Sequence, residues 1–233
     1  MSKNIKCILT DIEGTTTSVS YVYDVLFPYF KQNIFKLLSL TENQEVIDAF
    51  SQVKEIVATE EGVSIESNEQ VIEKLLDWAN SDRKITPLKT LQGIIWKDGY
   101  EQGILKGHVY EEVPEVLKEW YQKGITLSVF SSGSVTAQKL IFGYSLYGDL
   151  TIYFSNYFDT STGMKRDIDT YSIIAKQVQL PSEQILFLSD IKQELEAAEA
   201  AGMKTIQILR QGTEKGWYQT AKDFKEVSTY LDN

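Results

Sequence analysis

Four short apolar runs restrict most strongly what this chain can fold into: Ile5 to Thr10, Ile125 to Phe130, Ile185 to Ser189 and Thr205 to Leu209. Each has the length of one strand and ends in polar residues or glycine, so all four are predicted as buried strands of a parallel sheet. Helical patterns fit between most of them. "VPEVLKEWYQKG" carries Pro114 in a first-turn position, Val113, Val116, Leu117, Trp120 and Tyr121 at helical spacing, and Gly124 as a stop. It should pack on the sheet and deliver the chain to the strand at Ile125. "IKQELEAAEAAGMKTIQIL" has a narrow apolar stripe, Leu195, Ala198 and Ala201, with Gly202 ending the helix before the next strand. Such βαβ alternation predicts an α/β fold with a doubly wound, mainly parallel sheet that binds ligands beyond the carboxyl ends of its strands.

More than a hundred residues separate the first strand from the second, far more than a crossover needs. Four helical patterns fill that stretch. Val22, Leu26, Phe30 and Ile34 recur every four positions, with Pro28 expected to kink or restart the helix. Val46, Phe50, Val53 and Val57 form a second stripe. Ser67 and Gln70 stand in capping-box spacing ahead of Val71, Leu75 and Trp78, and Thr86 reads as an N-cap before Pro87. Residues 17–107 are therefore expected to be an inserted helical domain over the sheet, and residues 1–16 with 108–233 the catalytic core. Tyr21, Tyr23, Phe27 and Trp96 are expected in the helical core, and "LRQGTEKGWYQTAKDFKEV" as a loop followed by a last helix.

Lys and Arg total 23 against 33 Asp and Glu, and the net charge of −10 argues against nonspecific attraction to nucleic acid or anionic lipid. The lone cysteine, Cys7, excludes an internal disulfide, and one Cys with one His gives too few soft ligands for structural zinc. "MSKNIKCILTD" reaches an acid too early for a signal peptide, and no later run is long enough to span a membrane. The expected location is cytoplasmic.

In "ILTDIEGTTTS", Asp11 and Glu13 stand directly behind the first strand, where both can turn toward one cation. Oxygen ligands of this kind suit Mg2+, although acids in such a turn equally serve as helix caps. At the second strand end, "VFSSGS", the hydroxyls of Ser131 and Ser132 and the N–H groups of a helix start suit a phosphate, or simply a serine cap. No glycine lies two residues before either serine, so this is not a nucleophile elbow. At a third, "LFLSDIKQE", Asp190 is placed to complete the oxygen cage or to cap a helix, and Glu194 follows one turn later. A lone lysine such as Lys165 in "FDTSTGMKRDIDTY" is ordinarily solvated surface. A phosphate brought beside Asp11, however, meets like charge worth roughly 4 kcal/mol per unit pair at about 4 Å and an effective dielectric near 20. A divalent cation and a lysine are the usual compensation. His108, the single histidine, is expected in a loop or hinge role rather than in catalysis. No Walker A, dinucleotide or nucleic-acid signature is present.

The order D-x-E-G-T after strand one, serine after strand two, a loop lysine and aspartate after the next strand resembles the haloacid dehalogenase superfamily of aspartyl-phosphate-forming phosphatases. Most superfamily phosphatases carry Asp where this chain has Glu13. Within the superfamily, "DIEGTT", "LQGIIWKDGYEQGILKGHVYEEVP", "SSGSVTAQKLIFGYSLYGDL", "YFDTSTGMKRDIDTYSIIA" and "ILFLSDIKQELEAAEAAGM" resemble the enolase-phosphatase (acireductone synthase) family over nearly the whole chain. The resemblance implies a Rossmann-like core with a helical cap and one Mg2+ per subunit. It also implies a monomer acting on a small phosphorylated diketone, 2,3-diketo-5-methylthiopentyl-1-phosphate, by enolisation and then dephosphorylation in methionine salvage. Carried over by position, Asp11, Glu13 and Asp190 would bind Mg2+, and Ser131, Ser132 and Lys165 the substrate. Asp11 would be the nucleophile, and Glu13 the acid and base. The alternatives are a Mg2+ phosphatase of another small ester and a catalytically silent binding module.

Overall fold

The computed structural model describes residues 5–232. Residues 1–4 and 233, and with them the start of the N-terminal segment weighed above as a leader, lie outside the described residues. The chain forms two compact units, one up to Val19 and from Lys106 onward, the other Ser20–Leu105.

The first unit is built on a six-stranded sheet in which every paired neighbour is parallel. Its strands are β1 (Cys7–Thr10), β2 (Thr126–Phe130), β3 (Phe154–Phe158), β4 (Ile185–Ser189), β5 (Lys204–Ile208) and β6 (Thr220–Ala221), in the order β3-β2-β1-β4-β5-β6. β1 is central, with Cys7 opposite Thr126 on one side and Ile185 on the other. The chain winds outward through β2 and β3 and then crosses back to β4. β1 is thus the switch point, and the turns after β1, β2 and β4 share one carboxyl-end edge. Leu9, Phe130, Phe187, Tyr171, Leu195 and Ala198 pack together beneath that edge.

Two strands go beyond the four anticipated. β3, at the sheet edge, buries Phe154 and Phe158 but exposes Ser155, so it has no continuous apolar run. β6 is two residues long and follows the sheet edge without a pattern of its own. The helix Val113–Gln122 has Pro114 in its first turn and buries Val113, Val116, Leu117 and Trp120, whose indole N–H donates to Ser228 Oγ at 2.8 Å. Tyr121 corrects the expected stripe. It turns outward, and its ring meets that of Tyr153, because the face directed at the sheet is already filled by Leu117 and Trp120. In the helix Lys192–Ala200 the buried Ala197 and Ala198 let the backbone approach β4 and β5 closely.

The second unit is helical. A π-helical turn, Val22–Leu26, runs into the α-helix Phe27–Asn33, whose first turn holds Pro28, and then into a 3-10 stretch, Ile34–Ser39. Proline has no N–H to donate backward, so the wider turn falls where the ladder is interrupted. Trp96 Nε1 donates to Leu26 O at 2.8 Å across that interruption. The helix Gln44–Glu61 buries Val46, Phe50, Val53 and Val57. Asn68–Asn80 opens on a formed capping box, with Gln70 N donating to Ser67 Oγ at 3.2 Å and Ser67 N donating to Gln70 Oε1 at 3.0 Å. Thr86–Glu101 begins one residue earlier than expected: Ile85 is the N-cap and Thr86 is already helical, since Pro87 fixes the first turn. Tyr21 and Trp96 are buried, whereas Phe27 is half-buried and Tyr23 is exposed, its ring edge-on to Phe27 and its hydroxyl donating to Asp82 Oδ2 at 3.4 Å.

Candidate active site

Asp11 leaves β1 while still held by it, its N–H donating to Leu188 O at 2.9 Å. The chain then turns sharply. The N–H groups of Thr15, Thr16 and Thr17 all converge on Ile12 O within 3.1 Å, and Gly14 N donates to Thr17 O at 2.8 Å. All three threonines are fully buried, so this hydroxyl run closes the turn rather than coating a surface. Gly14 is required twice over: its φ is +74°, and a Cβ would stand 2.3 Å from Asp190 Oδ2. The aspartate after β4 therefore rests against the loop after β1.

Lys165 is buried, and its Nζ lies 2.7 Å from both Asp11 Oδ1 and Glu194 Oε2. Burial alone would lower its pKa, but the two carboxylates outweigh burial and raise it. Its loop is fastened by Tyr171, whose hydroxyl donates to Lys165 O at 2.7 Å, and by Gly163, where a Cβ would meet Thr170 Oγ1 at 2.2 Å. Glu194 in turn accepts from Ser189 Oγ at 2.8 Å. Burial, then Asp11, pushes the Glu194 carboxyl up to about 7. The same two causes push Asp190 up to about 7, and Asp190 Oδ1 is buried with no hydrogen-bond partner.

Glu13 turns toward β2. Ser131 Oγ donates to Glu13 Oε2 at 3.3 Å and accepts from Gly133 N at 3.0 Å. Ser132, beside it, is half-buried. Gln138 Nε2 clamps this turn, donating to Gly133 O at 2.9 Å and Phe158 O at 2.8 Å. The helix that follows, Val135–Gly143, does not offer the open N terminus that the sequence suggested. Val135 N donates to Asp159 Oδ2 at 3.2 Å and Ala137 N to Ser134 Oγ at 3.3 Å. His108 lies in the returning connection, where its Nδ1 accepts from Ser18 N at 3.2 Å and its carbonyl from Thr17 Oγ1 at 2.7 Å. Burial and then Arg210 hold it below the ordinary imidazole range.

Of the sequence-predicted residues, Asp11 and Lys165 are in direct contact, Asp190 stands across Gly14 from them, and Glu13 meets Ser131. Among the described residues no three Asp, Glu, His or Cys side chains are already gathered as a cation cage. Glu194 is the site residue that the sequence reading noted without a role. Its signal was its spacing of four from Asp190, next to Leu195 on the sheet-facing side of its helix.

The sequence matches the haloacid dehalogenase-like hydrolase family over residues 5–202. It is 49% identical to the "Enolase-phosphatase E1" of Picosynechococcus sp. over 97% of this chain and 99% of that one. The protein of the same name from Pseudomonas aeruginosa is 47% identical, over 96% and 98% of the two chains. The crystal structure of the UTR4 protein of Saccharomyces cerevisiae superposes with a TM-score of 0.80 at 33% identity, covering 95% of this chain and 99% of that chain. The HAD-hydrolase YfnB of Bacillus subtilis, bound to magnesium, shares the fold with a TM-score of 0.61 at 12% identity, over 99% and 100% of the chains.

Proposed function

The chain belongs to the enolase-phosphatase E1 family of haloacid dehalogenase-like hydrolases, and from that premise we propose how its residues carry out the reaction. It is an enolase-phosphatase of methionine salvage. Its substrate is 2,3-diketo-5-methylthiopentyl-1-phosphate, which it enolises and then dephosphorylates to acireductone. Residues 1–16 with 108–233 are the catalytic core, residues 17–107 the cap domain, and the enzyme works as a cytoplasmic monomer. Among the described residues no helix is long and apolar enough to cross a membrane.

The observation that carries the residue assignment is the buried contact between Asp11 and Lys165. A lysine held there fixes the Asp11 side chain in place and offers positive charge to an incoming phosphoryl group. Asp11 Oδ attacks phosphorus while the bond from phosphorus to the substrate oxygen breaks. Glu13, aimed by Ser131, protonates the departing oxygen. The deprotonated Glu13 then takes a proton from water, whose oxygen attacks the phosphorus of the acyl phosphate and frees Asp11. Lys165 and Ser132 hold the phosphoryl oxygens, while Ser131 presents Glu13 to them. Glu194 and Ser189 hold Lys165. Glu13 is the candidate base for enolisation, its extra methylene reaching farther than an aspartate.

The residues present fit a Mg2+ ion. The donors around Asp11 and Asp190 are oxygens, Asp190 Oδ1 is buried and unpaired, and burial and then the neighbouring Asp11 push its carboxyl up to about 7. Asp11, Asp190 and an oxygen of Glu13 would hold the ion. When bound, it would supply Lewis-acid polarisation of the phosphoryl and carbonyl oxygens.

The test supplies the diketo phosphate with and without Mg2+, following the enol's ultraviolet band by stopped flow and phosphate release in parallel. Asp11→Asn should abolish phosphate release, and its persistence would remove Asp11 from the reaction. Glu13→Gln should slow both steps. Enolisation at the wild-type rate in that variant would place the base elsewhere. Phosphate release from other small esters with no enol signal would favour a simple phosphatase.

A further inference from the structure

β5 carries none of the residues assigned above, yet its carboxyl end touches the loops of both aspartates. Gln207, buried within β5, donates from Nε2 to Asp190 O at 2.9 Å and to Glu214 O at 3.1 Å. Its Oε1 accepts from Gly216 N at 2.9 Å and Trp217 N at 3.1 Å, so the amide is committed at both ends. Arg210, two residues past β5, reaches beyond β4 to the loop after β1. Its Nε and Nη2 donate to Thr15 O at 3.0 and 2.8 Å.

Arg210 is itself rigidly seated. Its side chain is only 8% exposed, its Nη2 lies 2.7 Å from Glu112 Oε1, and its guanidinium stacks 3.8 Å from the centre of the Tyr110 ring. Tyr110 N donates to Thr16 O at 3.0 Å, so the segment that seats the arginine also grips the same loop. A guanidinium buried against one backbone carbonyl is a costly way to satisfy that carbonyl, which water would serve as well. What the planar fork adds is a fixed direction and distance.

We infer that the carboxyl end of β5 is a brace that sets the position of the Asp11–Glu13 loop relative to Asp190, with Arg210 gripping Thr15 O and Gln207 gripping Asp190 O. Arg210 and Gln207 are positioning residues and touch no substrate. They act by holding two acids on separate strands at the spacing that one cation and one phosphoryl group require. The consequence for the reaction rests on the assignment of Asp11 and Asp190 proposed above.

Arg210→Lys keeps the charge and removes the fork, and Gln207→Ala removes the second grip independently. Each would be measured for kcat, KM, Mg2+ affinity by calorimetry with Mg2+ alone, thermal stability, and amide hydrogen exchange at residues 12–17. For Arg210→Lys the brace predicts faster exchange at residues 12–17. It predicts for both variants a roughly tenfold or greater fall in kcat, since small misplacements of reacting groups have that effect. Mg2+ affinity should also fall roughly tenfold, with KM within about twofold of wild type. Folded variants that lose only thermal stability, with wild-type kcat, Mg2+ affinity and exchange, would overturn the brace. If Arg210→Lys does not fold, Gln207→Ala decides by the same kinetic and Mg2+ readouts. If wild-type phosphate release survives Asp11→Asn, the site assignment fails instead, while exchange at residues 12–17 still reports on the grip of Arg210.

Discussion

Lys165 Nζ lies 2.7 Å from Asp11 Oδ1, and the two side chains are 7% and 4% exposed. A pair so deeply buried is held by geometry that neither partner could keep alone. Lys165→Met would leave Asp11 and Glu194 facing each other without the cation between them. Breaking a buried pair in this way costs about 3–5 kcal/mol. The urea midpoint should drop accordingly, and phosphate release should fall at least about a hundredfold, given how much one placed cation contributes to phosphoryl transfer. An unchanged midpoint together with unchanged turnover would remove Lys165 from both roles.

Gly14 separates the two acid loops by the width of a missing methyl group. Gly14→Ala must accommodate a φ of +74° and a Cβ 2.3 Å from Asp190 Oδ2. The backbone strain alone costs about 1 kcal/mol, and the contact forces Asp190 away from Asp11. Mg2+ affinity measured by calorimetry should therefore weaken by more than the stability loss explains. Wild-type Mg2+ binding in Gly14→Ala would show that Asp190 does not hold the ion.

Asp190 and Glu194 make the metal-free site pH-dependent. Burial, then Asp11, raises both carboxyls to about 7, so the fold favours their protonated forms. Their contribution to stability is full below the unfolded-state values of about 4 and is lost as pH rises through about 7. Bound Mg2+ would replace the proton on Asp190. The rise in melting temperature on exchanging EDTA for Mg2+ should be larger at pH 8 than at pH 5, and the difference should shrink in Asp190→Asn. Equal gains at both pH values would rule out Asp190 as the group that exchanges proton for metal.

The parts of this fold most legible in the sequence are those buried on both faces. β1, β2, β4 and β5 announce themselves because a parallel strand buried on both faces draws mainly apolar residues. β3 escaped because an edge strand exposes Ser155, and β6 because two residues carry no period. The acids at strand ends could be named from position, since a doubly wound sheet offers few other places for a ligand. Glu194 was harder to assign, because its burial depends on which face of its helix meets the sheet. The contact of Arg210 with Thr15 spans 195 positions and has no local signature at all. The need for positive charge beside Asp11 called for a lysine and the family resemblance pointed to which one; nothing in "TSTGMKRD" alone separates Lys165 from solvated surface.

Ser131 offers the sharpest division between holding substrate and aiming a catalytic group. The residue is 1% exposed and its hydroxyl is committed twice, accepting from Gly133 N at 3.0 Å and donating to Glu13 Oε2 at 3.3 Å. Ser131→Ala removes the donor that orients Glu13 and unfastens the turn that presents Ser132. The half-buried Gly133 N–H also loses its acceptor, so some stability is lost as well. The larger effect should be on turnover, because in the proposed reaction Glu13 acts only as the proton moves. We expect kcat to fall about tenfold or more, within the range typical of misdirected acid–base groups. Ser132→Ala, which leaves the Ser131–Glu13 contact in place, should instead act mainly on KM. Steady-state kinetics of the two variants side by side check this. A Ser131→Ala enzyme that changes only KM would make Ser131 a phosphate contact and leave Glu13 to be aimed by something else.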